Sequence, residues 1–137
     1  MLYLFSLYFD YSFRKHLRLA VAQNLPLFCH ERDAHEDFYR ITGEISDLPP
    51  LVVHCFTGKK EEVEKYVERG FYIGFTGTIC MHQRGEHLRQ ILKEGVIPLD
   101  RLMIETDAPF MSPVRSVRKN EPAMLGHGMY AYYTLVN

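Results

Sequence analysis

The sequence contains no tryptophan and only three cysteines, Cys29, Cys55 and Cys80. Three is an odd number, and the wide spacing of these residues matches neither a zinc ribbon nor a disulfide framework. We therefore expect reduced thiols that pack inside the protein as small apolar side chains. Reduced thiols favour an intracellular location, in the cytoplasm or the nucleus.

A large excess of charge of one sign is also missing, because 16 lysines and arginines nearly balance 17 aspartates and glutamates. This balance excludes the strongly basic composition that by itself indicates nucleic acid, although it does not forbid a DNA partner. Residues 1–9 are apolar, but they lack the basic start and the cleavage site of a signal peptide. Asp10 ends this run well short of a membrane span. We predict no membrane segment, and a strand or an irregular start at residues 1–9.

Segments with strand character alternate along the chain with segments whose apolar residues have helical spacing. The predicted helices cover residues 13–24, 34–42, 59–69 and 85–94, and the predicted strands cover residues 25–30, 51–54, 71–75 and 101–106. Such alternation is typical of parallel strands joined by right-handed crossovers. A chain of 137 residues fits one domain. The sequence therefore predicts a single α/β domain over residues 1–137.

Three of the predicted strands end in residues that bind metals, namely His30, His54 and Asp107. In α/β folds, residues at the carboxyl ends of parallel strands gather at one edge of the sheet. His30 and His54 are separated by about one strand–helix unit, so we expect them to face each other across neighbouring strands. Two imidazoles and a carboxylate suit a divalent ion such as Zn²⁺ or Mn²⁺. The alternative is that each histidine is simply hydrogen-bonded at the end of its strand.

Two neighbouring features leave further alternatives open. Glu105 lies two residues before Asp107 and on the same face of an extended strand, so it either supports the metal ligands or forms a structural salt bridge. Cys29 and Cys55 adjoin the two histidines, which suggests a Cys₂His₂ zinc site. Strand alternation argues against that site, because it places the cysteines between the sheet and the helices.

A basic segment follows the Asp107 turn and contains Arg115, Arg118 and Lys119. These side chains either bind a phosphate near the metal or belong to an ordinary solvated loop. The sequence has no nucleophile elbow and no glycine-rich phosphate loop, so nucleophilic catalysis has no support.

Four segments resemble, in order, the signatures of the TatD family of metal-dependent deoxyribonucleases. They are residues 25–34, His-Cys-Phe-Thr-Gly at 54–58, Ile-Glu-Thr-Asp-Ala-Pro at 104–109 and Arg-Lys-Asn-Glu-Pro-Ala at 118–123. The resemblance covers residues 13–125. It implies a partial (β/α)₈ TIM-type barrel with about four parallel strands, which would be the carboxyl-terminal half.

The resemblance also implies an activity, a cofactor and a partner. Members of the family degrade DNA with 3′–5′ exonuclease activity, with Mg²⁺, Mn²⁺ or Zn²⁺ as the expected cofactor. His30, His54 and Asp107 match metal ligands of the family, and Asp107 is the expected acceptor of a proton from water. The basic segment with Arg115, Arg118 and Lys119 would then hold the DNA backbone.

The sequence departs from the family pattern at both ends. A His-x-His pair and a Gly-Glu strand motif, which supply metal ligands in the family, do not occur before Phe13. Residues 1–12 are atypical, and residues 126–137 depart from the amphipathic helices that follow the Asn-Glu-Pro motif. A complete barrel takes about 250 residues, so we expect about half of one.

Three functions remain open from the sequence. The first is a metal-dependent deoxyribonuclease. The second is a catalytically inactive half-barrel that acts only through association with itself or with a partner, because open sheet edges favour association. The third is a related metallohydrolase with a different ester or amide substrate.

Overall fold

Four short strands form one parallel sheet in the structure, a computed structural model that describes the backbone of residues 2–136 and the side chains of residues 9–136. The strands lie side by side in chain order as β1 (Leu27–His30), β2 (Leu51–His54), β3 (Tyr72–Phe75) and β4 (Leu102–Ile104). The helices are α1 (Leu2–Gln23), α2 (His35–Gly43), α3 (Lys60–Glu68), α4 (Glu86–Lys93) and α5 (Leu125–Val136). Short 3₁₀ helices cover Gly77–Cys80, Leu99–Arg101 and Pro122–Met124. The predicted α/β class with parallel strands is confirmed.

The two faces of the sheet differ in what covers them. Cys29, Val53 and Ile73 are buried and belong to the hydrophobic core. Residues next to them along the strands point to the other face, where Phe28 is 67% exposed and Met103 is 42% exposed. The sheet therefore has one face covered by helices and one open face.

The core is built from the covered face of the sheet and from helices α2, α3 and α4. Each helix buries a stripe of side chains at helical spacing, with Phe38 and Ile41 on α2, Val63 and Tyr66 on α3, and Leu88, Ile91 and Leu92 on α4. The ring of Tyr66 is fully buried and packs edge-on against the rings of Phe38 and Phe56. The parallel register, which pairs His30 with His54, aligns the carboxyl ends of the strands along one edge of the sheet.

Helix α1 corrects one prediction and confirms another. The expected strand or irregular start at residues 1–9 is wrong, because α1 is helical from Leu2 onward; Met1 lies outside the described residues. No proline or glycine interrupts residues 2–23, so the aromatic residues that favour strands locally continue a helix. The predicted end is confirmed, since Asn24 has a φ of 50° and the next N–H donates to the carbonyl of Ala20.

The last described segment is helical, although its pattern is unusual. Helix α5 packs against α4 and against the 3₁₀ helix Gly77–Cys80. Gly128 is buried beside Ile104, where an added Cβ would lie 3.2 Å from the Ile104 side chain, so the glycine permits the close approach to β4. Met129, Tyr130 and Tyr133 are exposed, which agrees with the predicted departure from an amphipathic helix.

No helix within residues 2–136 combines the length and the hydropathy that crossing a bilayer requires. The assignment of residues 1–137 to one domain stays a prediction.

Candidate metal centre

The ring of His54, at the carboxyl end of β2, lies at the centre of the site. Its Nδ1 is 2.7 Å from Oε2 of Glu105, and its Nε2 is 3.5 Å from Oδ1 of Asp107. Because a carboxylate accepts hydrogen bonds, the short contact with Glu105 places the proton on Nδ1. Nε2 then presents its lone pair beside a carboxylate oxygen. When one ring nitrogen of a histidine binds a metal ion, a hydrogen bond from the other ring nitrogen to a carboxylate orients the ring.

Glu105 reaches His54 from two strands away. Its N–H donates to the carbonyl of Phe75 on β3, just past the end of β4, and its side chain crosses β3 at Gly74, where an added Cβ would collide with Oε1 of Glu105. That oxygen also accepts a hydrogen bond from the N–H of Cys55 at 2.6 Å. Glu105 thus contacts both the imidazole and the backbone that follows it, a contact that fits either of its two predicted roles, and support of a metal ligand stays a prediction.

The turn that carries Asp107 is held by a buried carboxamide. Asp107 has a left-handed backbone with a φ of 54°. Asn120 is 2% exposed, and its Nδ2 donates to the carbonyls of Thr106 and Phe110, each at 2.6 Å. Asn120 therefore ties the chain on both sides of Asp107. The sequence analysis included Asn120 only as part of a motif, because a contact between residues this far apart leaves no local pattern.

His30 faces His54 across neighbouring strands, as predicted. The two residues pair in register, and their ring centroids are 5.5 Å apart. Both histidines and Asp107 line one pocket of about 370 Å³ at the carboxyl edge of the sheet. The structure therefore brings the three predicted ligands to one pocket, with His54 and Asp107 adjacent, whereas the exposed His30 is not part of the close group of donor atoms that contains them.

Cys55 departs from the prediction made for the cysteines. Its Sγ, a ring nitrogen of His54 and a carboxylate oxygen of Asp107 all lie within 4.8 Å of one another. The reason is local, because Cys55 follows the last residue of β2 and has a φ of 49°, which ends the alternation of the strand. Burial raises the pKa of the Cys55 thiol, the Thr76 hydroxyl opposes that shift, and the carboxylate of Asp107 adds to it.

Cys29 behaves as predicted. It is buried in the core between the sheet and the helices, and burial raises its pKa to about 11. Among the described residues the structure therefore does not assemble the alternative Cys₂His₂ site, since Cys29 belongs to the core and only Cys55 lines the pocket with the histidines. The described cysteines are free thiols, as expected.

The predicted phosphate-binding residues lie apart from the histidines. Arg115 lines a separate pocket with Arg84, and Arg118 and Lys119 are exposed. Arg32 instead lines the pocket that contains His54 and Asp107. Arg32 was not predicted from the sequence, although its position in the loop just after a predicted ligand strand was a usable signal.

A buried network fixes the loop after β1 that carries Arg32. Glu31 is 8% exposed, and it accepts hydrogen bonds from the N–H of Ala34 at 2.7 Å and from the Tyr66 hydroxyl at 3.1 Å. The Tyr66 hydroxyl also lies 2.8 Å from Nδ1 of His35. Burial raises the pKa of Tyr66, so the hydroxyl keeps its proton and donates to Glu31. This network was not predicted, because Tyr66 on α3 is distant in sequence from Glu31 and His35.

The residues of the site fit a divalent ion. Ligand bonds of about 2.0–2.2 Å place the donor atoms roughly 3–4 Å apart around one ion. The 3.5 Å between Nε2 of His54 and Oδ1 of Asp107 falls in this range. The Glu105 carboxylate on the other ring nitrogen is the partner that such a ligand usually has.

Comparison with known proteins agrees with this geometry. The family described as TatD related DNase matches residues 9–136. The 3′-5′ ssDNA/RNA exonuclease TatD of Shigella flexneri serotype 5b is 47% identical over 122 residues, which cover 85% of this chain and 46% of that protein. The protein of the same name from Escherichia coli K12 is 46% identical over 122 residues, with the same coverage of 85% and 46%.

Two solved structures share the fold. YJJV, a TatD homologue from Escherichia coli K12, has a TM-score of 0.79 and 31% identity, covering 88% of this chain and 46% of that one. The hydrolase TatD family protein from Entamoeba histolytica has a TM-score of 0.71 and 25% identity, covering 82% and 45%. The four parallel strands and their helices are therefore the partial TIM-type barrel that the sequence predicts.

The extent of the match defines what the chain contains. The chain spans about half the length of the curated relatives it matches. The predicted resemblance over residues 13–125 is confirmed and extends over residues 9–136. From its motifs, its sheet and this match, the chain belongs to the TatD related DNase family.

Proposed function

We propose that the chain forms part of the active site of a divalent-metal-dependent nuclease that hydrolyses phosphodiester bonds of DNA from the 3′ end. The observation that carries this proposal is the His54 ring, held 2.7 Å from Glu105 and 3.5 Å from Asp107 at the carboxyl edge of a parallel sheet. The names of the curated relatives describe 3′-5′ exonucleases of single-stranded DNA and RNA, which supports the same class of reaction.

Each residue of the pocket has a proposed role. His30, His54 and Asp107 hold Mg²⁺, Mn²⁺ or Zn²⁺. When bound, such an ion polarises the phosphate and lowers the pKa of a bound water. Asp107 accepts the proton of the attacking water, because its carboxylate opens on the pocket beside the ligand nitrogen. Glu105 keeps the His54 proton on Nδ1, so that Nε2 stays available.

The surroundings of the pocket suit a single strand. Arg32 lines the same pocket, and its guanidinium is proposed to pair with a phosphate. Phe110 lines the same pocket with its ring 67% exposed, which allows an unpaired base to stack on it. Arg115, Arg118 and Lys119 are proposed to contact phosphates further along the strand. Phosphate contacts carry no base information, so we expect weak sequence preference.

The other hypotheses have less support. The curated relatives are named as exonucleases, which does not favour an inactive half-barrel, and their substrates are nucleic acids rather than small esters or amides. These two relatives are bacterial and lend no support to a nuclear location. The cellular location and self-association stay predictions, and the activity of this chain by itself is part of the proposal because the relatives are about twice as long.

The test is cleavage of an end-labelled single-stranded DNA by the purified chain with Mg²⁺ or Mn²⁺. We expect label to be released from the 3′ end, and EDTA and the variant Asp107→Asn to abolish the release. Asp100→Asn is the matched control, because the Asp100 side chain is 78% exposed and lies outside the pocket. Failure of a cooperatively folded chain to cleave, or cleavage that survives Asp107→Asn, would overturn the proposal.

A further inference from the structure

We propose that the thiolate of Cys55 is a ligand of the metal ion, so that His54, Cys55 and Asp107 form a site with nitrogen, sulfur and oxygen donors that selects Zn²⁺ or Co²⁺ over Mg²⁺. This proposal rests on the metal centre proposed above, but it does not depend on nuclease activity. It concerns a residue that the sequence analysis assigned to the core.

The position of Cys55 supports this role. The left-handed backbone at Cys55 turns its side chain toward the carboxyl edge of the sheet instead of into the core. Its thiol is buried, with the residue 6% exposed, and it lines the same pocket as His54 and Asp107. A single carboxylate, that of Glu105, holds the Cys55 N–H at 2.6 Å and the His54 ring at 2.7 Å. The two neighbouring donors are therefore positioned as a unit.

The distances require little movement. The three donor atoms lie within 4.8 Å of one another, and those of His54 and Asp107 are already 3.5 Å apart. A tetrahedral ion with a sulfur bond of about 2.3 Å holds its donors roughly 3.3–3.8 Å apart. The Sγ atom therefore has to approach by roughly 1–1.5 Å at most. The polar atom next to Sγ is Oγ1 of Thr76, at 3.6 Å. This contact, which Sγ would lose on binding a metal ion, is weak.

The donor set determines which ion binds. Mg²⁺ prefers oxygen ligands and octahedral geometry, whereas Zn²⁺ and Co²⁺ accept nitrogen and sulfur in tetrahedral sites. On binding, the S–H bond of Cys55 is replaced by a sulfur–metal bond, and the proton is released to solvent. Metal uptake should therefore release protons without any oxidant or reductant.

The test is a titration of the whole chain with Co²⁺, followed by the sulfur-to-cobalt charge-transfer absorption in the near ultraviolet. We expect this band in the wild type, in Cys80→Ser and in the double variant C29A/C80S, which retains Cys55 as its one thiol. We expect it to be absent from Cys55→Ser, with Zn²⁺ affinity lowered on the order of tenfold to a hundredfold. The loss of Zn²⁺ affinity in Cys55→Ser should exceed any loss of Mg²⁺ affinity, because Mg²⁺ prefers oxygen ligands to sulfur.

If Cys55→Ser does not fold, the double variant C29A/C80S still assigns the band to Cys55, because Cys55 is its one thiol. Cobalt binding without the band, a band that persists in folded Cys55→Ser, or no cobalt binding at all would overturn the proposal. A chain that shows the band but cuts no DNA would refute the nuclease and leave Cys55 as a ligand. A chain that cuts DNA with Mg²⁺ but shows no band would support the nuclease and refute Cys55 as a ligand.

Discussion

At the scale of single residues, the site depends on positions whose backbone departs from regular structure. Cys55 and Asp107 both have positive φ values, of 49° and 54°, and each follows the end of a strand. Such conformations are uncommon for residues other than glycine, and they are found frequently at functional sites. The sequence predicts His54 and Asp107 from their place at strand ends. It places Cys55 on the wrong side of the sheet, because a positive φ is not apparent from the alternation of residues along a strand. Alternation holds for Cys29 within β1 and fails one residue past β2.

Cys29 should make folding dependent on pH above about 9. Burial raises its pKa from 9.0 to about 11, so the folded state holds the thiol proton more tightly than the unfolded state. The stability from this proton is fully present below pH 9.0 and is lost as the pH rises through about 11. A shift of this size corresponds to about 3 kcal/mol at most. Urea unfolding of the wild type and of Cys29→Ala, from about pH 8 to about pH 11, measures the loss.

Cys29→Ala should be less stable than the wild type at neutral pH, because a buried side chain becomes smaller. The informative quantity is the difference in the free energy of unfolding between the two proteins. We expect this difference to shrink above pH 9 as only the wild type loses stability from the thiol. Two curves that stay parallel over the whole range would contradict the prediction.

At the scale of elements, a glycine in β3 leaves room for the side chain of Glu105, just past β4, to contact a residue of β2. Gly74 lies between Val53 and Glu105, and its missing side chain is what allows the carboxylate to reach His54. The sequence predicts the strand but not this role, since a glycine in a strand has several explanations. The same limit applies to α1, where the apolar run of residues 1–9 is predicted as a strand or an irregular start and is helical from Leu2 onward.

Gly74→Ala should weaken metal binding without unfolding the protein. The added Cβ displaces the flexible end of Glu105, so the imidazole of His54 loses the partner that orients it. We expect the affinity for Zn²⁺ or Mn²⁺ to fall about tenfold to a hundredfold, the usual effect of losing such a partner. Calorimetric titration measures the affinity, and a thermal melt confirms that the variant is folded.

Gly126→Ala is the matched control, because an added Cβ at Gly126 meets nothing within 4 Å. It should leave the metal affinity unchanged. Glu105→Gln provides the second comparison, since Gly74→Ala acts through that carboxylate. In the Glu105→Gln background the glycine substitution should have little further effect, and additive losses would show that Gly74 acts by another route.

At the scale of the whole molecule, the open face of the sheet and its two edges are the unusual features. Within residues 2–136, strands β1 and β4 each pair with one strand, so each has an edge that no described strand covers. The open face exposes Phe28 and Met103, whereas the other face is covered by helices. The length and the missing motifs predict about half of a barrel, and the chain spans about half the length of the curated relatives it matches. Which surface a second copy would use follows only from the structure.

We expect two copies of the chain to associate through the open face, which hides the apolar side chains of both. Sedimentation velocity over a range of concentrations should therefore show an equilibrium between monomer and dimer. Burial of a phenylalanine side chain contributes about 1.5–3 kcal/mol. Phe28→Ser combined with Met103→Ser should raise the dimer dissociation constant by roughly tenfold or more.

Leu99→Ser is the control that separates this face from general surface hydrophobicity. Leu99 is 73% exposed, more than either residue of the open face, but it belongs to a 3₁₀ helix outside the sheet. Its substitution should leave the dissociation constant unchanged if the open face mediates the contact. An equal effect of Leu99→Ser would indicate unspecific aggregation, and a chain that stays monomeric at every concentration would refute the dimer. The ring centroids of His54 and Phe28 are 4.6 Å apart, so in a dimer the His54 pocket would lie beside the interface between the two copies. Association and metal affinity should therefore change together.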